Sequence, residues 1–183
     1  MMKDFVILVD AADRPIGQME KIEAHQLGLM HRAFSVFIFN NAGDMLLQQR
    51  ALVKYHSGGL WTNACCSHPR PGEKTDQAAQ RRLFEELGFT TGLNEIFDFT
   101  YTAGFENGLI ENEYDHVFTG VYEAAINPVP SEVMNIAWRS LKWLSEDLAR
   151  NPRSYTAWFH IAFPKISHWA VEHLNSTLES KRA

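Results

Sequence analysis

Several things are scarce in this chain of 183 residues. Cysteine is the first: there are only two, Cys65 and Cys66, and they are neighbours. Two cysteines make no disulfide framework, and a bond between adjacent residues closes a strained ring. Both thiols are therefore expected to be free, in a reducing, cytoplasmic setting. Long apolar runs are missing too. The N-terminal stretch Phe5–Val9 is bounded by Asp4 and Asp10, too short for a signal peptide or a membrane span. Positive charge is not in excess: 17 Lys and Arg face 22 Asp and Glu, a formal charge of −5. That argues against a nucleic-acid binder but leaves room for a small anion held by a local cluster of cations. There is no internal repeat and no low-complexity tract.

What is present is an ordinary globular composition, 45% hydrophobic and 21% charged. The length fits one domain over residues 1–183 with a large enough core to need no staple. "FVILVD" reads as a short buried strand, and "AADRPIGQMEK" as turn chemistry around Asp13, Pro15 and Gly17. "FSVFIFNNAGDMLLQQR" reads as a β-hairpin, and "LWTNACC" as a further strand. Thr75 to Leu87 has helical spacing at Ala79, Leu83 and Leu87, a cap at Thr75 or Asp76, and Gly88 as terminator. "EIFDFTYT" and "ENEYDHVFTGVYEA" read as strands, and "VMNIAWRSLKWL" as a strand and its exit. Helices are expected over about 154–180, divided by Pro164, with Ile166, Trp169, Ala170, His173 and Leu174 on one face of the second. The class is α+β: a mixed sheet flanked by helices.

Three constellations could carry chemistry. In "ENEYDH", Glu111 and Glu113 share a strand face, with Asp115 next. A solvated edge is the ordinary explanation of Glu-x-Glu, but apolar flanks point to a central strand. Burying two unpaired carboxylates is costly, and a bound cation would let both stay ionised. The second is the set His25, His31 and His68; with the two glutamates they would suit Mn²⁺, Zn²⁺ or Mg²⁺. A zinc knuckle on Cys66 and His68 lacks further ligands at short spacing, His56 being well upstream. The third is the helix around "RRLFEELGF", where Arg82 and Glu86 can pair at i,i+4, as on any charged helix face.

The order Ser67-x5-Glu73-x7-Arg81-Arg82-Leu83-x-Glu85-Glu86-x-Gly88-Phe89 resembles the Nudix signature, in which helix glutamates hold a divalent cation against a diphosphate. Ser67 stands where the signature has glycine, and Arg82 where it has a metal-binding glutamate. The second change suggests binding of a diphosphate without its cleavage. The chain further resembles the type I isopentenyl-diphosphate Δ-isomerases. The matching stretches run in order: "EKIEAH", "HRAFSVFIFN", "QRALVK", "WTNACCSHP", "RRLFEELG", "IENEYDHVF" and "YTAWFHIAF". The resemblance spans most of the chain to about residue 163, and "WTN-x-x-C-x-HP" with "ENE" is more specific than the helix alone.

The resemblance implies a Nudix-like fold and interconversion of isopentenyl and dimethylallyl diphosphate. It implies Cys66 and Glu113 as the acid–base pair, Tyr101 as a proton relay, and Trp158 as a π face for a carbocation; plain packing is the alternative for both aromatics. Cys65 is left to packing, since neighbouring strand residues face opposite ways. The implied inner metal site is His25, His31, His68, Glu111 and Glu113, holding Mn²⁺ or Zn²⁺. A Mg²⁺ would join Glu86 to the diphosphate. Lys21, Arg50, Lys54 and Arg82 would hold the diphosphate, though each could be a surface charge. No flavin is expected, and the partner is a small diphosphate rather than nucleic acid or membrane. The chain is expected to be a monomer or weak dimer. The alternatives are a Nudix hydrolase of nucleoside diphosphate derivatives, a non-catalytic binding module, and a redox role for the cysteine pair.

Overall fold

The computed structural model describes the backbone of residues 4–180 and the side chains of residues 4–173. Its centre is β3 (His31–Phe39), an apolar run buried along almost its whole length. Backbone N–H and C=O groups buried so completely need hydrogen-bond partners along the strand's edges. β3 runs parallel to β8 (Ile110–Val121) and antiparallel to β6 (Cys65–Ser67), and it touches β1 (Phe5–Val9) and β4 (Met45–Arg50) at its two ends. β7 (Asn94–Gly104) pairs with β8, β2 (Pro15–Glu20) with β1, and β5 (Trp61–Thr62) and β9 (Val133–Arg139) with β4.

Helices cover both faces. Phe34, Val36 and Ile38 face α2 (Thr75–Leu87) and pack with its Ala79, Leu83 and Leu87. Phe37 and Phe39 face α3 (Leu141–Arg150) and α4 (Ala157–Ser180), packing with Leu144, Phe159 and Phe163. The alternation along β3 is the period of a strand turned into two cores. α1 (Lys21–Leu27) closes one edge and ends at Gly28, whose φ of 62° favours a residue without Cβ. Gly88 ends α2 as expected; a Cβ there would lie 2.8 Å from Asn127 O, so space as well as φ demands glycine.

The sequence reading needs amending in several places. The segment "LWTNACC" is two short strands, because β5 pairs with β4 and β6 with β3. β2 extends the segment read as turn chemistry, with Pro15 at its first position, where a strand tolerates proline. The N-cap of α2 is Lys74, with no side-chain cap. Residues 141–150 form α3, begun by Ser140 Oγ accepting from Trp143 N. Pro164 does not divide the last segment: α4 runs through it. An interior proline costs about 3 kcal/mol, but Phe159 and Phe163 before it and Ile166 and Ala170 after it are all buried on the sheet. Leu174 lies outside the described side chains.

Candidate active site

Strand register builds the site. His31 on β3 lies beside Glu113 on β8, and Glu113 lies beside Tyr101 on β7. One row across three strands thus carries an imidazole, a carboxylate and a phenol on the same face. A second row sets Cys66 beside Ser35. Cys65 pairs with Val36 and is 0% exposed in the α2 core, whereas Cys66 faces a cavity on the other side.

That cavity, of about 80 Å³, is lined by Cys66, His68, Glu111, Glu113, Tyr101, Trp158 and Glu86, with Lys21, Arg50, Lys54 and Arg82 also on its wall. It adjoins a hollow of about 370 Å³ at which Lys21, Lys54 and Arg82 meet Arg70 and Arg81. The cavity thus joins carboxylates and aromatic rings to cations on its wall, and the hollow outside adds Arg70 and Arg81. His25 and His31 are fully buried behind the inner wall.

The histidine cluster is rich in lone pairs and poor in protons. His25 Nδ1–H donates to Lys21 O at 2.7 Å and His31 Nδ1–H to Leu29 O at 2.8 Å. Their Nε2 atoms are then acceptors. His31 Nε2 lies 3.2 Å from His68 Nε2, which lies 2.9 Å from Glu113 Oε1. His25 Nε2 is buried with no hydrogen-bond partner. Donor atoms of His25, His31, His68 and Glu113 all fall within 4.8 Å of one another, as do those of His25, His56 and Glu111. Burial, and then the charges of His68 and His31, lower His25 to about 4, so its ring is neutral and ligand-ready near neutral pH. This donor set fits a divalent cation. Backbone carbonyls fix the tautomers of His25 and His31 as in metal-binding imidazoles, and a cation would supply the charge that the cluster lacks.

The carboxylates carry the same demand. Tyr101 Oη lies 2.6 Å from Glu113 Oε2 and 3.0 Å from Glu111 Oε2, and its one proton serves the nearer oxygen, that of Glu113. Burial and the charge of Glu113 push the Glu111 carboxyl up. Burial opposes ionisation of Glu113 too, but the imidazoles beside it, His31 at 3.6 Å and His68 at 2.9 Å, outweigh this and hold it down. Asp115, next along the same face, is pushed up by burial and by Glu113.

Cys66 is held from two sides. Its Sγ is 3.0 Å from Asn63 Oδ1 and 3.5 Å from Ser35 Oγ, and Ser35 Oγ donates to Asp115 Oδ2 at 2.8 Å. Asn63 Nδ2 donates to Val36 O at 3.0 Å and Cys65 O at 2.9 Å. Both donors being used, Oδ1 can only accept, so the thiol points its S–H at it. Burial, and then Asp115, push the Cys66 thiol up, which keeps it protonated. A protonated thiol is a proton donor rather than a nucleophile.

The cations at the mouth are mostly paired. Lys21 is 3.1 Å from Asp4, and Lys54 binds Glu132. Arg82 donates to Glu85 at 2.7 Å, Glu86 at 2.6 Å and Glu132 at 3.3 Å. Arg50 sits 5.1 Å from the centre of the Trp158 ring and donates to His56 O at 3.3 Å. Glu86 lies on the wall, but its two oxygens are taken by Arg82 and by Gln48 at 3.0 Å. It is outside both His/Glu groups.

Comparison with known proteins gives this geometry a family. The NUDIX domain matches residues 29–159. An isopentenyl-diphosphate Delta-isomerase of Serratia proteamaculans is 49% identical over 158 residues, covering 86% of this chain and 88% of that protein. One of Burkholderia multivorans is 48% identical over 174 residues, covering 92% and 99%. The chain belongs to the isopentenyl-diphosphate Delta-isomerase family, within the NUDIX domain proteins. The fold agrees. The structure of DR0079 from Deinococcus radiodurans matches with TM-score 0.67 at 17% identity, covering 81% of this chain and 90% of that one. A MutT protein from Methanosarcina mazei matches at 0.62 and 20%, covering 76% and 94%. Among the described residues, no helix is long and apolar enough to cross a membrane.

Against this family's frame, sequence reasoning gave no role to Asn63, Ser35, Tyr55 or His56, and placed Asp115 on the strand face without a role. Asn63 had a signal, an amide inside an apolar strand-like run. Tyr55 and His56 had none, since only the path of the 51–60 loop brings them to the cavity.

Proposed function

We propose that this isomerase-family chain interconverts isopentenyl diphosphate and dimethylallyl diphosphate. The observation that carries the reading is one cavity that holds a protonated thiol, Cys66, and a buried carboxylate, Glu113, behind a mouth ringed by cations. Isomerisation adds a proton to the terminal alkene carbon, makes a tertiary cation at the branched carbon, and removes a proton from the neighbouring methylene. Two groups that can each give or take one proton are needed, and the reverse reaction exchanges their roles. Cys66 gives or receives a proton at Sγ. Glu113 does so at a carboxylate oxygen, with the Tyr101 hydroxyl 2.6 Å away to relay it. The Trp158 face and the carboxylates stabilise the positive charge.

The diphosphate is held by Lys21, Arg50, Lys54 and Arg82, and it replaces the present carboxylate partners of Lys21, Lys54 and Arg82. His25, His31, His68, Glu111 and Glu113 are the residues that hold the inner cation, with Mn²⁺ or Zn²⁺ suited to so many imidazoles. When bound, that cation supplies positive charge that keeps the glutamates ionised. Glu86 is the residue for a Mg²⁺ that arrives with the diphosphate, in competition with Arg82. The same Arg82–Glu86 pair argues against a diphosphate hydrolase. A proton NMR assay with isopentenyl diphosphate tests the reading: dimethylallyl signals grow with protein and metal and cease with chelator. Release of phosphate without alkene shift would replace the isomerase reading with the hydrolase.

A further inference from the structure

A fourth buried ring stands beside the histidine cluster. His25 and His31 each commit Nδ1 to a backbone carbonyl and turn Nε2 inward. His56 also has a polar neighbour at Nδ1, a hydroxyl that can donate to it or accept from it. Its Nδ1 is 3.2 Å from the Ser57 hydroxyl, and its Nε2 has no hydrogen-bond partner although the residue is only 7% exposed. That Nε2 lies 3.2 Å from Glu111 Oε1. Donor atoms of His25, His56 and Glu111 all fall within 4.8 Å of one another. Ligands about 2.0–2.2 Å from a shared ion sit at most about 4.4 Å apart, so a small contraction would complete such a shell. The ring is also fixed in place: it stacks on Phe105 at 4.4 Å and meets Tyr55 edge-on at 4.4 Å and Trp158 at 5.9 Å.

Two ions cannot share this cluster. With Nδ1 committed to Lys21 O, His25 has one lone pair to give, and one lone pair binds one ion. His25 cannot then serve one ion with His31, His68 and Glu113 and another with His56 and Glu111, so a single cation is the arrangement that uses both groups. We infer that His56 is a fourth histidine ligand of the metal centre, delivered by the 51–60 loop on the Glu111 side. This rests on the reading of the cluster as a metal site. Four imidazoles and two carboxylates make six protein donors, enough for an octahedral shell without solvent. They favour zinc, manganese or cobalt over magnesium. Ion binding then fastens the loop that carries Lys54 and Tyr55 over the cavity.

The test is titration of metal-stripped protein with cobalt(II) alone, followed by visible absorption, for the wild type and His56→Phe. Phenylalanine keeps a ring against Phe105 but offers no lone pair. The variant should bind cobalt about ten- to a hundredfold more weakly or worse, with a changed band shape as the ion loses a nitrogen. Metal-free His56→Phe should melt no lower than metal-free wild type, while its gain in Tm on adding cobalt should shrink. If His56→Phe does not fold, His56→Gln is titrated in its place, with the same expected loss. Unchanged affinity and spectrum in the variant would overturn the inference. Wild-type protein that takes up no cobalt would overturn it together with the metal centre. Failure of the isomerase reading shows separately, as absent alkene shift in the NMR assay with cobalt binding intact.

Discussion

Replacing Asn63 by leucine tests the packing behind the thiol. Asn63 is 0% exposed and engages four groups: Val36 O, Cys65 O, the Thr62 hydroxyl and the Cys66 thiol. Leucine has the same branched skeleton, is somewhat larger, and has none of the polar atoms. Each lost bond removes about 1 kcal/mol net, giving about 4 kcal/mol, and the added apolar burial returns about 1 kcal/mol. A loss of about 3 kcal/mol is a large part of a domain's 5–15 kcal/mol. With a urea slope of about 2 kcal/mol/M, the unfolding midpoint should fall by about 1.5 M. The isomerisation rate should fall about tenfold or more as well, because the S–H loses the acceptor that aims it. A midpoint shift below about 0.5 M, or about 1 kcal/mol at that slope, with an unchanged rate, would refute the reasoning.

Tyr101→Phe removes the hydroxyl shared by Glu111 and Glu113. A bond to a charged group contributes about 1.5–3 kcal/mol, so kcat/KM measured by NMR should fall about ten- to a hundredfold with the fold retained. Arg82→Ala should raise KM for the diphosphate more than it lowers kcat, since it removes an anchor rather than a proton carrier, as steady-state assays would show. Dialysis against a chelator should lower Tm, because the orphaned His25 nitrogen and the carboxylate pair lose their compensating charge; an unchanged Tm would speak against the metal centre. Arg81 holds the Glu73 carboxyl below its ordinary range through bonds of 2.7 and 2.8 Å. A depressed pKa stabilises the fold above the ordinary carboxylate range and ceases to do so as pH falls through the depressed value. Glu73→Gln should thus be less stable at pH 7, by no more than about 0.5 kcal/mol given solvent screening. The difference should vanish on acidification in paired melts.

Much of the fold was legible because period and punctuation agree. The buried run of β3, the Asn-Asn-Ala-Gly-Asp turn after it, and the α2 pattern ending at Gly88 each point to one local structure. The α3 helix is hidden in "VMNIAWRSLKWL" because the strand pattern before it runs directly into its first turn, although Ser140 followed by Leu144 and Leu148 is a capped helical stripe. Pro164 misled because local propensity was outweighed by burial on both sides. At the site, "ENE" and "CCSHP" could be read because strand alternation fixes which side chains share a face. The thiols divide as that rule requires, Cys65 into the core and Cys66 into the cavity. His56 could not be read, because a loop has no period to say where its side chains point. The Arg82–Glu86 pair was legible from its i,i+4 spacing, but the second partner, Glu132, was not, because it depends on α2 meeting the segment before β9.

The central claim is that Cys66 and Glu113 move protons on one small hydrocarbon. It is tested most directly by running the reaction in deuterated water and following deuterium uptake into the recovered diphosphates by NMR, for the wild type, Cys66→Ala and Glu113→Gln. The account predicts uptake in the wild type and a loss of many-fold in both variants, with diphosphate still bound by Cys66→Ala. Uptake by Cys66→Ala at the wild-type rate would contradict it.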